Sequence, residues 1–172
     1  MKATQINRAI DGLTILVDTR EQGTAQAQER YKQFGVQYER KKLDFGDYSA
    51  RCLLPDGAMI DLSEKVVIER KMSLDELCYC FGKSRERFER EFDRAKAAGA
   101  KIYLLVENAT WRKVYRHEYR SRLSPMALAG SILTFIARYK AELIFCEVSV
   151  SGKLIADIMR YEMREELKSY GE

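Results

Sequence analysis

The sequence is poor in proline, with two in 172 residues, and it holds a single histidine. So little proline leaves no room for a long disordered linker, and neither a repeat nor a low-complexity tract interrupts the chain. No apolar run approaches the roughly 18 residues needed to span a bilayer, and nothing near Met1 has the apolar centre of a secretory signal. An intracellular, cytoplasmic protein is therefore expected. The four cysteines, Cys52, Cys78, Cys80 and Cys146, are spaced as neither a zinc ribbon nor a redox CxxC pair, and read as reduced residues in or near the core. A strong excess of either charge is missing too. With 30 basic and 26 acidic side chains the net charge is +4, which permits a nucleic-acid partner without demanding one.

What is present is enough for one domain over residues 1–172, because 46% of the side chains are hydrophobic and 33% are charged. Residues 1–12 read as a flexible polar lead-in. "LTILVDTRE" suits a strand buried on both faces, "AQAQERYKQFG" a helix closed by Gly35, and "VQYERKKL" a second strand. Asp56-Gly57 marks a hairpin between "SARCLL" and "AMIDL", and "KVVIER" follows as a strand. Ser73 to Glu76 has the form of a capping box, so a helix should begin there, followed by the charged helix "SRERFEREFDRAKAAG". Then come strand "KIYLLVE", a helix with Pro125 at its first position, strand "ELIFCEV" and a closing helix, "GKLIADIMRYEMREELK". Strands alternating with helices predict an α/β fold around a mixed sheet.

The stretch "EKVVIERKMSLDEL" raises a chemical question, since three charges end what should be a buried strand. Unpaired buried charges are expensive, so a strand ending this way either surfaces or uses its charges together. Side chains alternate across a strand, which puts Glu69 and Lys71 on one face, roughly 7 Å apart at Cα, and Arg70 on the other. A carboxylate beside a lysine at a strand end suits a metal-dependent hydrolase: the acid helps hold an ion that activates water, and the lysine orients that water or steadies charge on a phosphate. Mg²⁺ usually takes one or two protein carboxylates, so a second acid is needed, and Asp47, at the turn after Gly46, is the candidate. Asp18 and Glu21, with Arg20 between them, form a further acidic cluster at the exit of the first strand.

"GDY" at Gly46 to Tyr48 and "ERKMSLD" from Glu69 to Asp75 together resemble the GD…ERKxxxD signature of the XPF-type structure-specific DNA endonucleases, including the archaeal Hef proteins. "VDTRE" is similar to their first acidic motif, "LLVE" at Leu104 to Glu107 falls where they have a comparable strand, and order and spacing agree along almost the whole chain. "ENATWRKVYRHEYRSRLSPMALAGSILTFIARY" looks like the compact single-domain members of bacteria and prophages. The resemblance implies a restriction-endonuclease-like fold, a mixed central sheet flanked by helices, and a Mg²⁺ or Mn²⁺ cofactor. It implies that Asp47 and Glu69 ligate the metal, helped by the Arg70 carbonyl and by Asp18 directly or through water. Lys71 would be the catalytic lysine, Glu21 and Asp75 supporting acids, and Arg20 and Arg70 supporting basic groups. Larger members append helix-hairpin-helix repeats or a helicase domain. Neither is expected within this chain, so a separate DNA-binding or helicase partner is.

DNA contacts are expected from "WRKVYRHEYRSR", where Arg112, Lys113, Arg116, Arg120 and Arg122 interleave with aromatic residues that can stack on bases. His117, within it, reads as structural. Arg87 is added because it falls where the family tends to place an arginine near the site. The helix "PMALAGSILTFIARY" is apolar most of the way round, so it is either simply buried or half of a homodimer interface, and the family's habit of pairing nuclease domains favours the second. A metal-dependent DNA endonuclease acting on branched or distorted duplex is the expected function. A catalytically weak DNA-binding subunit of the same fold and an RNA-directed nuclease are the alternatives.

Overall fold

The computed structural model describes residues 1–170. Helices are α1 (Ala3–Asp11), α2 (Ala25–Lys32), α3 (Leu74–Phe81), α4 (Arg85–Ala97), α5 (Trp111–Tyr115), α6 (Pro125–Tyr139) and α7 (Val148–Ser169). Strands are β1 (Thr14–Val17), β2 (Gln37–Arg40), β3 (Tyr48–Leu53), β4 (Met59–Asp61), β5 (Val66–Lys71), β6 (Lys101–Glu107) and β7 (Glu142–Cys146). The sheet runs β2-β1-β3-β5-β6-β7, with β4 attached to β3. The β1–β2, β5–β6 and β6–β7 pairs are parallel, and β3 runs antiparallel to β1, β4 and β5. This is the expected mixed sheet flanked by helices.

Two cores cover the two faces. Val66, Ile68 and Leu105 point into a core built with α1, α2 and α7, and Val67, Leu104 and Val106 into one built with α3, α4 and α6. The central strands are buried on both sides, which is why they read as near-continuous apolar runs. Local signals set several helix starts: the hydroxyls of Thr24, Ser73 and Ser124 accept from the amides of Ala27, Glu76 and Ala127. The expected capping box at Ser73 is only half made, because the Glu76 carboxylate accepts from the Met72 amide instead.

Two expectations need correction. The lead-in 1–12 is not flexible: α1 buries Ile6, Ala9 and Ile10 against the first core, and its apolar stripe was hidden by the polar residues between. The last helix begins at Val148, four residues before Gly152. Gly152 sits there because α7 crosses α2 so closely that a Cβ would fall 2.1 Å from the Arg30 carbonyl oxygen.

Candidate active site

β5 delivers its three terminal charges to opposite faces of the sheet. Glu69 and Lys71 project toward α3 and α4, and the Lys71 ammonium donates to Glu69 Oε1 at 2.5 Å. Lys71 Nζ also lies 5.0 Å from the centre of the Phe88 ring. Asp47 joins them because the chain turns at Gly46, where φ is 73° and a Cβ would sit 2.7 Å from that of Val67. Only glycine fits a left-handed turn pressed so closely on β5. Asp47 is then pinned: its amide donates to the Ile68 carbonyl at 2.8 Å, its carbonyl accepts from Asp18 at 2.8 Å, and its Oδ2 accepts from the Arg70 amide at 2.8 Å. Asp47, Glu69 and Lys71 thus line one cleft of about 250 Å³, walled by Arg20, Glu76, Tyr79, Cys80, Arg87 and Glu91.

The acids of this cleft are uncomfortable as anions. Burial and the nearby Glu69 push the Asp47 carboxyl up to about 8, against the pull of Lys71. Burial raises Glu69 as well, Lys71 opposing and Glu91 adding to the rise. Glu69 Oε2 is buried without a hydrogen-bond partner. Burial alone would discharge Lys71, but Glu69 and Asp47 outweigh it and hold the ammonium above its ordinary range. A group so firmly protonated is a donor and a positive charge, not a base. Cys80 is also quiescent, its thiol pushed up to about 11 by burial.

Among the described residues no group of three or more His, Cys, Asp and Glu is placed to hold a metal ion. Two carboxylates with water and phosphate oxygens meet the needs of Mg²⁺, however. The unpartnered oxygen of Glu69 and the raised Asp47 are what a cation would relieve, so these residues fit such an ion.

The other face of β5 carries a network of ion pairs beside a second cleft lined by Glu21, Arg30 and Arg70. Arg70 points away from the cleft, donating to Glu107 Oε2 at 3.2 Å and to Glu21 Oε1 at 3.1 Å. Arg30 donates from Nε to Glu107 at 3.0 Å and reaches Glu21 at 3.3 Å, and the Tyr48 hydroxyl donates to Glu21 at 2.9 Å. Arg30 and Glu107 are buried, and sequence reasoning missed both. They are 77 residues apart, and a lone arginine in a charged helix gives no sign of where it points.

Several of the expected site residues lie outside the acid cleft. Glu21 and the Arg70 guanidinium belong to the ion-pair network and not to the acid cleft. Asp18 is buried with both oxygens engaged, Oδ1 by the amide and Nε of Arg20 at 2.7 Å and Oδ2 by the Leu43 amide at 2.7 Å, so it anchors Arg20 and the Leu43 turn rather than facing the cleft. Asp75 is a clasp: its Oδ1 accepts from the amides of Arg120 and Ser121 at 2.8 Å each, and its Oδ2 from Arg120 Nε at 3.2 Å. Glu76, read from the sequence only as part of a cap, and Glu91, given no role within the charged helix, also line the cleft. The signal for Glu91 was available, since Ser84, Arg87, Phe88 and Glu91 repeat at i, i+3, i+4 and i+7 on one helix face.

Of the basic residues, Arg87 is exposed at the cleft. Arg112, Arg116, Arg120 and Arg122 are exposed outside it, Arg112 lying 3.7 Å from Glu118, and Lys113 reaches the Asn108 carbonyl at 2.8 Å. His117 is structural in its contacts, with Nε2 2.8 Å from the Ser121 carbonyl oxygen.

A pinned acid and a strand-borne acid–lysine pair sit on a mixed-sheet α/β scaffold, and the comparisons say to which family that scaffold belongs. The sequence model of the ERCC4 domain family matches residues 17–158, and the chain belongs to that family. No curated protein matches. Among solved structures, XPF from Aeropyrum pernix is similar at 21% identity and a TM-score of 0.61, over 87% of this chain and 61% of that one. The structure described as XPF from Aeropyrum pernix in complex with DNA is similar at 18% identity and a TM-score of 0.63, over 92% of this chain and 74% of that one. The chain therefore spans less than two thirds of the first of these relatives, and the likeness carries the fold. The resemblance to the XPF-type nuclease domains holds in sequence family and in fold.

Proposed function

We propose that this chain is a divalent-metal-dependent DNA endonuclease that hydrolyses phosphodiester bonds on branched or distorted duplex. The observation that carries it is Glu69: a buried acid paired through one oxygen to a lysine that its acidic neighbours hold charged, with the other oxygen unpartnered in the cleft that Asp47 shares. Asp47 and Glu69 would hold Mg²⁺ or Mn²⁺, with the Arg70 carbonyl that the family resemblance adds. A cation there supplies water activation and neutralises charge on the phosphate. The chain's own groups do the rest. Lys71, tethered by Glu69, donates to the phosphate oxygens as charge builds on them. Gly46 and the Arg70 amide keep Asp47 aimed, and Arg20, held by Asp18, adds a positive wall beside it. The similar Aeropyrum pernix structure in complex with DNA supports DNA as the substrate.

The test is incubation with Mg²⁺ and a panel of flap, fork, junction, single-stranded and plain duplex DNAs beside matched RNAs. Cleavage abolished by EDTA and by Asp47→Asn is expected. Binding without cleavage in either Mg²⁺ or Mn²⁺ would favour the weak-subunit reading, and cleavage confined to RNA the RNA-directed one.

We infer also a homodimer, joined through the outer face of α6. Leu128 and Ile132 of that helix are fully buried and serve the core, whereas Met126 at 84% exposure and Leu133 at 49% lie open beside Tyr115 and Gly130. Met126→Arg with Leu133→Arg should turn a dimer into a folded monomer by light scattering. A wild-type protein monomeric at tens of micromolar with and without DNA would refute it.

A further inference from the structure

The acid cleft has two chemically different ends. Deep in it lie Asp47, Glu69 and Lys71, and its mouth is formed by Tyr79 and Ser84 with Arg87. Tyr79 is an anomaly of α3. The helix buries Leu74, Leu77, Cys78, Cys80 and Phe81 in the second core, and Tyr79 turns out of it, 57% exposed.

An isolated exposed tyrosine is ordinary on a protein surface, so place and partners decide. Tyr38 leans on Tyr31, with ring centres 4.8 Å apart, and Tyr115 stacks on Trp111 at 5.9 Å. Tyr161 and Tyr170 are exposed on or just beyond α7, away from the cleft. Among the described residues Tyr79 is the exposed tyrosine that lines the acid cleft, and neither an aromatic neighbour nor a hydrogen bond to its hydroxyl occupies it. Arg87 lines the same cleft, exposed and without an ion-pair partner among the described residues. An exposed ring and an exposed guanidinium lining one cleft are the pairing that single-stranded nucleic acid requires, a face on which a base stacks and a cation for its phosphate. At about 250 Å³ the cleft is smaller than the roughly 300–1,000 Å³ of sites that enclose whole small molecules, which suits part of one nucleotide.

We propose that Tyr79 is a base-stacking platform for an unpaired nucleotide adjacent to the scissile phosphate, with Arg87 on that nucleotide's own phosphate. The site would take any of the four bases, since every base has a π face, but only where the base is out of its pair. A fully paired strand offers no such face. This contact would let a single small domain favour forks and flaps, and it rests on the endonuclease reading above.

The experiment uses the full chain, Ca²⁺ in place of Mg²⁺, and a forked DNA with one 2-aminopurine at the first unpaired position beside the duplex. Anisotropy of a distant label reports binding and 2-aminopurine fluorescence reports stacking. Wild type and Tyr79→Phe should quench the fluorescence on binding. Tyr79→Ala should lose most of that quenching, and its preference for forked over fully paired DNA should fall by about five- to 150-fold, the range that alanine substitution of a stacking ring produces. If Tyr79→Ala binds and quenches as wild type does, the platform is refuted and the endonuclease reading stands. The platform is equally refuted if affinity falls alike for forked and paired DNA with quenching unchanged, because Tyr79 is then a surface contact. A wild-type protein that binds none of these DNAs in Ca²⁺ or Mg²⁺ overturns the endonuclease reading and the platform with it.

Discussion

The two faces of β5 carry the same kinds of charge and treat them in opposite ways. On the Arg70 face two arginines meet two glutamates and a tyrosine in one set of hydrogen bonds, Arg30 and Arg70 each bonded to both Glu21 and Glu107. On the Glu69 face one lysine meets two carboxylates, one of them with an unpartnered oxygen and the other raised to about 8. In the first arrangement two positive charges match two negative ones, although Arg70 Nε is buried without a partner. The second lacks one positive charge, and that deficit is its chemistry. The kinds of residue explain how each face tolerates damage: arginine cannot shed its proton, whereas a carboxylate left without a partner can take one up.

The sharpest way to break this comparison is to remove a partner from the Arg70 face. Glu107→Gln leaves Arg30 and Arg70 charged, buried and short of a counter-charge, and should destabilise the fold by about 3–5 kcal/mol. Urea unfolding measures it, and a loss under 1 kcal/mol would mean that the network is not what holds this face. On the open face Lys71→Ala should do the converse. Glu69 can protonate, so the unfolding midpoint should move little, while cleavage falls about 10²- to 10³-fold, as when one donor to a developing oxyanion is removed. Steady-state cleavage beside urea unfolding separates the two, and the contrast fails if Lys71→Ala unfolds as easily as Glu107→Gln.

Gly46→Ala tests how finely the open face is held. It places a Cβ against Val67 in a left-handed turn, and should cost about 1–3 kcal/mol while displacing Asp47, so cleavage should fall more than stability does. Activity at the wild-type level would show that Asp47 need not be pinned. A pH slope tests the ionisation of the open face. With Asp47 raised to about 8 in the folded chain and near 3.9 when unfolded, the unfolded state binds fewer protons between those values. Metal-free stability should therefore fall as pH rises from about 4 to about 8 and level off above. In EDTA, Asp47→Asn removes Asp47's part of that slope, so its melting temperature should gain steadily on the wild type as pH rises through the window, and Mg²⁺ should shrink the difference. A constant difference from pH 5 to 8 would show that Asp47 is ionised throughout.

Much of this molecule was legible in its residues. The strands, the helix starts at Ser73 and Ser124, the hairpin at Asp56-Gly57 and the acid–lysine pair of β5 all depend on neighbours within a few positions, and local geometry obeys local sequence. Of the trio, the Glu69–Lys71 pair was readable for the same reason, because a period of two is a local fact, whereas Asp47 was placed beside it by the motif order of the family resemblance. What the sequence could not decide was which long-range partner each charge would find. Asp18 and Asp75 sit in motifs that read as acidic site residues, yet Leu43 and Arg120 claim their oxygens. Arg30 and Glu107 read as unremarkable, yet they pair on the far face of the strand. A carboxylate's role depends on whether its hydrogen-bonding capacity is spent, and that is settled only when distant segments are brought together in a low-dielectric interior.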